Sequence, residues 1–367
     1  MLRLAFLLVM ALSFTNPLLA DEKPKPNTLT PKEIADGWIL LFDGETTFGW
    51  KVEGDVAVKE GVLVLGGQKA STATITTLFG SYDLRIETTS GKGSITLQSV
   101  PGGSCIFGSA NLPSRIQMTH RIRGDGTAVS QSRNVGVDMV SQLIIEATTT
   151  DPASLQIEVP AGGKVSIKSA KLRPVGAKPL FNGKNLDGWK VTQTDPKRVS
   201  TKFEVTKEGE LSAKNGPGDL QTEKQFDDFV LQLECKTNGL ALNSGIFFRC
   251  MPDAYQNGYE AQIQNAYLGD RTKPIDYGTG AIYRRIAARK VVSNDNEWFT
   301  MTVAARGAHI ATWVNGYQTV DWTDDRKAND NPRQGLRTAK GHLSIQGHDP
   351  TTDLLFRNIR IAELPKP

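Results

Sequence analysis

The chain opens the same phrase twice. LFDG (41–44) and GWKV (49–52) recur as LFNG (180–183) and GWKV (188–191), with the same spacing between the two pieces. The likeness continues inward, KEG (59–61) matching KEG (207–209) and FGSYDLRIE (79–87) matching FDDFVLQLE (226–234). Both copies also close on a similar stretch, KVSIKSAKL (164–172) and FRNIRIAEL (356–364). A likeness of this extent, present twice, reads as duplication at domain scale and not as a solenoid of short units. It divides the chain into a first copy at 36–173, a linker of Pro, Gly and Lys at 174–179, and a second copy at 180–367. Each copy is long enough for a hydrophobic core of its own.

The local signals are almost wholly those of strands. FVLQLEC (229–235), GIFFRC (245–250), YEAQIQ (259–264), FTMTVAA (299–305), HIATWV (309–314) and HLSIQG (342–347) are short and rich in β-branched or aromatic residues. Asn315-Gly316 joins two such runs and suits a type I′ turn, which needs positive φ at both central residues. Only residues 31–35, behind Thr30 as N-cap, offer a short helix. Many antiparallel strands without long helices imply an all-β sandwich.

At the N-terminus, Arg3 precedes an apolar run at 4–12, followed by Pro17 and Ala20, so residues 1–20 read as an export signal and 21–35 as a flexible leader. The apolar run is too short for a membrane span of roughly 20 residues, and no other stretch approaches that length. A secreted or periplasmic location is expected. Net charge is +4, spread without a basic stripe, which gives no support for nucleic-acid binding. The three cysteines, Cys105, Cys235 and Cys250, are an odd number and read as small buried apolar residues.

Alternation along a strand separates its faces. In YEAQI, Tyr259, Ala261 and Ile263 share one face and leave Glu260 and Gln262 on the other. In HLSIQGH, Leu343 and Ile345 oppose Ser344 and Gln346, with His348 in phase with the latter pair if Gly347 does not bulge. In GIFFRC, Ile246, Phe248 and Cys250 oppose Phe247 and Arg249. Three strands with polar side chains on one face fit a sugar cleft, where a few placed polar groups sit among aromatics. Each residue has a plainer alternative: Arg249 pairing with a carboxylate, Glu260 as a solvated edge residue, and His348-Asp349-Pro350 as a self-capping turn. Tyr283, Arg284 and Lys290 fall in the long irregular stretch 251–296, where a loop can build a site. Trp50 and Trp189 hold the same place in both copies and read as packing residues, whereas Trp298 and Trp313 stay open between core and cleft.

In order along the second copy stand PLFNGKNLDGW (179–189), NSGIFFR (243–249), GYEAQI (258–263), YGTGAIY (277–283), EWFTMTV (297–303), WVNG (313–316) and SIQGHDPTTDLLFRNIRIAEL (344–364). This string resembles the 3-keto-disaccharide hydrolase family, also described as a 3-keto-glucoside 1,2-lyase and 3-keto-2-hydroxy-glucal hydratase domain, over residues 179–364. The resemblance implies a concanavalin-like or laminin-G-like jelly roll with sugar chemistry on its concave sheet, and hence two tandem jelly-roll β-sandwiches. It implies an oxidised disaccharide or glycoside as substrate, since a C3 ketone acidifies the C2 proton and lets one base drive departure of the aglycone. Under it, Glu260 or His348 is the base and the other holds the C2 and C3 oxygens, directly or through a divalent metal. Ca²⁺, Mg²⁺ or Mn²⁺ would be held by Glu260, His348 and Asp349, and Arg249 would stabilise the enolate. Gln262, Gln346, Tyr283, Trp298, Arg284 and Lys290 are candidates for binding substrate, and no organic cofactor is expected.

The first copy departs from this string. No YEAQI, GTGAIY or GHD phrase appears between residues 91 and 165, where the closest text is GSITLQS (93–99), so it is expected to be degenerate and non-catalytic. Two rivals remain. A carbohydrate-binding protein would tolerate loss of Glu260 and His348, and an ordinary glycosidase needs a carboxylate pair that the sequence does not display.

Overall fold

The computed structural model describes residues 27–89, 94–99, 103–107, 115–122, 128–135, 140–147, 153–252, 254 and 257–364, and between 89 and 154 it describes the backbone alone. The expected export signal lies outside the described residues. Strand accounts for 49% of the structure and helix for 3%, so the chain is all-β, with two tandem jelly-roll sandwiches of concanavalin-like type.

Each half holds an eight-stranded and a five-stranded antiparallel sheet. In the second half the large sheet runs, in spatial order, Lys202–Val205, Leu211–Lys214, Asp353–Glu363, Phe229–Thr237, Trp298–Arg306, His309–Val314 and Tyr317–Thr323, with Lys178–Pro179 added beside Asp353–Glu363. The small sheet runs Trp189–Val191, Gly218–Phe226, Gly341–Gly347, Ser244–Cys250 and Tyr259–Ile263. The first half repeats both orders strand for strand; its small sheet is Trp50–Glu53, Ser71–Ile75, Ala153–Val159, Ser94–Ser99 and Gly103–Phe107.

Period-two patterning decides what goes between the sheets. Leu231, Leu233 and Cys235 from the large sheet meet Leu220, Ile246, Phe248, Tyr259, Ala261, Leu343 and Ile345 from the small one in a single apolar core. The residues between these on the small sheet turn outward, onto the concave face. Trp50 and Trp189 are buried and equivalent, and each indole Nε1 donates to a carbonyl nine residues back, Leu41 and Leu180. Cys235 and Cys250 are buried free thiols in different sheets, and burial pushes both thiols well up from their ordinary value. For Cys105 only the backbone is described.

The large sheet of the second half is covered on both sides, which explains why FVLQLEC is buried almost throughout. Its outer residues Val230, Ala304, Ala311 and Trp313 belong to the core cluster of the first half. Trp313 is 1% exposed, packs on Phe79 at 5.8 Å between ring centroids, and donates its indole N–H to the Leu40 carbonyl at 3.1 Å. Around this seam Gln232 Nε2 donates to Gly37 O (3.0 Å) and Arg289 reaches Asp43 (2.9 Å) while lying over the Phe48 ring (4.0 Å). The hairpin at the edge of the sheet has the expected turn, with φ of 48° at Asn315 and 76° at Gly316. Gly316 O accepts the Leu40 N–H at 2.8 Å, so the turn joins the seam.

Two sequence expectations need correction here. The leader expected over 21–35 is packed from Asn27 onward: Asn27 Nδ2 donates to Gly61 O, and Pro31–Ala35 forms a helix with a reciprocal capping box between Thr30 and Glu33. Glu33 also pairs with Lys171 at 3.0 Å, which ties the helix down; burial pushes its carboxyl up, but the Thr30 N–H and then Lys171 outweigh it and hold the group below its usual value. The linker expected over 174–179 shortens to 175–177, because Pro174 ends one strand and Lys178–Pro179 is another. Among the described residues no helix is long and apolar enough to cross a membrane.

Trp313→Ala should open a cavity at the seam and cost about 3–5 kcal/mol, read as a lowered urea midpoint. A shift below 1 kcal/mol would show that the halves do not depend on this contact.

Candidate functional site

Turning Glu260, Gln262, Ser344, Gln346, Gln221 and Phe247 outward from the core places them side by side on the concave face, because the strands that carry them are neighbours in register. Phe247 pairs with both Glu260 and Ser344, and Ser344 pairs with Gln221. A cleft of about 710 Å³ lies over this face, lined by Asp195, Arg198, Asn243, Glu260, Tyr283, Arg284, Arg285, Arg333, Gln346 and His348. Its size suits a disaccharide-sized ligand.

Among the carboxyls that line the cleft, Glu260 is the one changed by its surroundings. It is 4% exposed, and burial raises its carboxyl from 4.5 to about 7, against the opposing pull of Arg333, whose Nη2 donates to Oε2 at 3.0 Å. Desolvation therefore outweighs the ion pair. Room for the carboxylate comes from Gly245: a Cβ there would stand 2.6 Å from Glu260 Oε1 and 2.7 Å from its Cγ. Arg333 is itself held against two rings, Phe247 at 5.1 Å and Tyr283 at 5.9 Å.

The loop after Tyr259–Ile263 doubles back beside that strand. Gln262 N donates to Ala281 O, Gly280 N to Gln262 O and Tyr283 N to Glu260 O, which sets Tyr283 next to Glu260 at the wall of the cleft. Asp276, at φ 46°, accepts from Gln262 Nε2 (3.1 Å) and Asn243 Nδ2 (2.8 Å). A carboxylate in this position only accepts, so it fixes which way both amides face. Gln262 Oε1 and Asn243 Oδ1 are then left buried without a partner among the described residues, as are Gln221 Oε1, Ser344 Oγ and Gln346 Oε1. An unpaired buried acceptor costs roughly 1–3 kcal/mol. Asn243 and Gln346 line the cleft, so two of these acceptors stand at its wall for the hydroxyl donors of a sugar, while Gln221, Gln262 and Ser344 are wholly buried on the same sheet face.

His348 lines the cleft in phase with Gln346, and its Nδ1 lies 2.7 Å from Asp349 Oδ2, leaving Nε2 for the cleft. Asp349 Oδ1 accepts from Thr351 N and Oγ1, so the self-capping turn is formed as well. Among the described residues no group of three or more His, Cys, Asp or Glu side chains is gathered so as to hold a metal ion. Of the donors expected for a metal, Glu260 is paired with Arg333 and His348 Nδ1 with Asp349.

Three expected site residues lie elsewhere. Arg249 sits at φ 52°, where the pairing register shifts and breaks strand alternation, and its guanidinium is wholly buried. It donates to Asp227 O, Gly307 O and Arg337 O and pairs with Asp228 at 3.0 Å, so it clamps loops away from the cleft. Trp298 is in the large sheet under the Arg357 guanidinium, at 4.0 Å. Lys290 lies over Tyr317, at 5.7 Å. Of the expected residues, the structure brings together Glu260, His348, Gln346, Tyr283 and Arg284, with Gln262 beside them on the floor.

The sequence reading missed Asn243, Asp195, Arg198, Arg285 and Arg333. Asn243 was accessible, since carrying the Gly245 and Phe247 phase two residues back reaches it. Arg333 comes from a loop with no periodicity and meets Glu260 only through long-range packing.

A family profile described as a 3-keto-alpha-glucoside-1,2-lyase-like domain matches residues 176–362. Two crystal structures of Parabacteroides distasonis proteins provisionally named glycosyl hydrolases are similar. One has 23% identity and a TM-score of 0.41, covering 52% of this chain and 94% of that one. The other has 29% identity and a TM-score of 0.40, covering 52% and 100%. A Bacillus subtilis carbohydrate-binding module is similar at 16% identity and a TM-score of 0.34, covering 49% and 97%. No curated protein matches. The profile spans half of this chain, and all of that half is the sandwich that carries the cleft: the protein belongs to the 3-keto-alpha-glucoside-1,2-lyase-like domain family, a carbohydrate-active family.

Proposed function

We propose that the second sandwich cleaves glycosides already oxidised at C3, by 1,2-elimination followed by hydration. The observation that carries this reading is a single buried carboxyl, Glu260, poised at about 7 on the floor of a polar cleft. A base with a value near the working pH is best placed to take a carbon-bound proton made acidic by an adjacent ketone.

In the first step Glu260 takes the C2 proton, the C2–H electron pair forms the C1=C2 bond, and the aglycone leaves C1 with the glycosidic oxygen. His348, steadied at Nδ1 by Asp349, gives the departing oxygen a proton from Nε2. In the second step water adds to C1 of the enone, His348 recovers a proton from it, and Glu260 returns its proton to C2. The sum is hydrolysis to a 3-keto sugar and the free aglycone. Arg333, next to Glu260, is the cation available to the enolate, the role expected of Arg249. Oxyanion stabilisation of this kind is worth about 10²–10³ in rate.

This chemistry needs one base and not two opposed carboxylates. Asp195 also lines the cleft, but its carboxylate caps Lys197 N (3.0 Å) and faces Arg198 (3.4 Å) while 44% exposed. That setting favours the elimination over an ordinary glycosidase.

The first sandwich is proposed to be non-catalytic. The register Ser344–Phe247–Glu260 in the second half corresponds to Gln156–Thr96–Ile106 in the first, so an isoleucine holds the position of the base. Its packing against the outer face of the large sheet of the second half, behind the sheet that carries the cleft, makes it a scaffold.

Incubation with a 3-keto-disaccharide in deuterated water should show exchange at C2 and release of the aglycone, with a rate that rises with pH through about 7 as Glu260 loses its proton. Glu260→Gln should lower both by about 10²–10⁴. Unchanged exchange in that variant would remove Glu260 from the mechanism. Binding without exchange in the unaltered protein would favour the carbohydrate-binding rival, and release from an unoxidised glucoside would favour the glycosidase. Gly245→Ala, which intrudes on the carboxylate without touching its chemistry, should cost roughly 10²-fold in turnover with the far-ultraviolet circular dichroism preserved. Full turnover in that variant would show that the close fit at Glu260 is not needed.

A further inference from the structure

The charge balance of the cleft is lopsided. Four of its lining residues are arginines, Arg198, Arg284, Arg285 and Arg333, against two carboxyls, Asp195 and Glu260. Two of the four are accounted for, since Arg333 pairs with Glu260 at 3.0 Å and Arg198 with Asp195 at 3.4 Å. The tandem pair between them and solvent is not. Arg284 is exposed, holds φ at 58°, and lies over the Tyr283 ring at 5.3 Å. Arg285 uses two of the five guanidinium N–H donors on backbone carbonyls, Arg284 O (3.2 Å) and Arg333 O (2.6 Å). Neither has a carboxylate partner among the described residues.

Burial, and then the charges of Arg326 and Arg333, pull the Arg285 guanidinium below its ordinary value, against a weaker opposing pull from Asp324. Arg326 itself is spent on Asp324 at 2.7 Å. Elsewhere in its lining the same cleft has the opposite chemistry, with the amides of Asn243 and Gln346, whose oxygens have no partner among the described residues. Amide acceptors at one part of the lining and arginines without a carboxylate partner at another describe a ligand that carries hydroxyls at one end and negative charge at the other.

We propose that Arg284 and Arg285 form a subsite for an anionic group on the part of the saccharide that reaches the mouth of the cleft, so that the preferred ligands are acidic glycosides. The shared chemistry is a planar or tetrahedral oxyanion, a uronate carboxylate or a sulfate ester, on the sugar or aglycone next to the ring held at the floor. Arginine suits either, because its fixed fork of donors matches both. This rests on the reading of the cleft as a sugar site, and not on elimination as its reaction.

The test is binding and not turnover. Affinities of the whole protein for a glucosyl-glucuronate disaccharide, its neutral glucosyl-glucose counterpart and a 6-sulfated version of the latter are measured by calorimetry at low and high salt. At low salt an anionic disaccharide should bind roughly tenfold tighter than the neutral one, an advantage that salt reduces. The exposed variant Arg284→Ala should cut that advantage, and the double variant with Arg285→Ala should bring the ratio near one. Preference for only one anion identifies the source. Equal affinity for all three, or a preference that survives both substitutions, overturns the subsite. Loss of C2 exchange with the anionic preference intact would overturn the elimination reading alone.

Discussion

The second sandwich is organised around a carboxylate kept out of water. Raising a glutamate from 4.5 to about 7 is a penalty on the order of 3 kcal/mol against its charged form, and Arg333 at 3.0 Å does not cancel it. The surrounding structure is arranged to sustain that state. Gly245 leaves the space, Phe247 and Tyr283 shield the side and hold Arg333 in place, and the loop at 276–284 lies along the strand of Glu260 through a ladder of backbone bonds. Positive φ at Asp276, Tyr277 and Arg284 marks that loop as held by its neighbours and not by its own preference.

A buried polar face also needs a rigid support behind it. The core between the sheets supplies one side, and the first sandwich supplies the other by covering the outer face of the large sheet with Trp313, Val230, Ala304 and Ala311. Duplication thus gives the catalytic half a partner of its own fold. The position equivalent to Glu260 in that partner is Ile106, a residue unable to move a proton, so under the proposed function the two copies divide support from chemistry.

Most of this architecture could be read from residue order. Alternation sorted Tyr259 from Glu260, Ile345 from Gln346 and Ile246 from Phe247, because a sheet with one face in a core leaves little freedom of register. The same rule failed at Arg249, where a residue at φ 52° interrupts the pleat and redirects the side chain into a buried clamp. Local text does not announce such a bulge. Trp298 and Lys290 were misplaced for a different reason: each belongs to a sheet surface or loop whose burial depends on which half of the molecule packs there. Arg333, Arg285 and Arg198 were invisible because they reach the cleft from irregular loops brought in by tertiary packing, where no period links sequence position to direction.

Glu260 is thus one of the two bases that the sequence left open, with His348, and the one whose environment makes sense of the rest. Its ionisation is the quantity on which everything else rests. Carboxyl-carbon NMR of the glutamate-labelled protein, titrated from acid to mild alkali beside Glu260→Gln, measures it directly. One carboxyl should titrate near 7 in the parent protein and be missing from the variant. If instead every glutamate titrates in the ordinary carboxylate range, the cleft holds a charged residue like any other and the account is wrong.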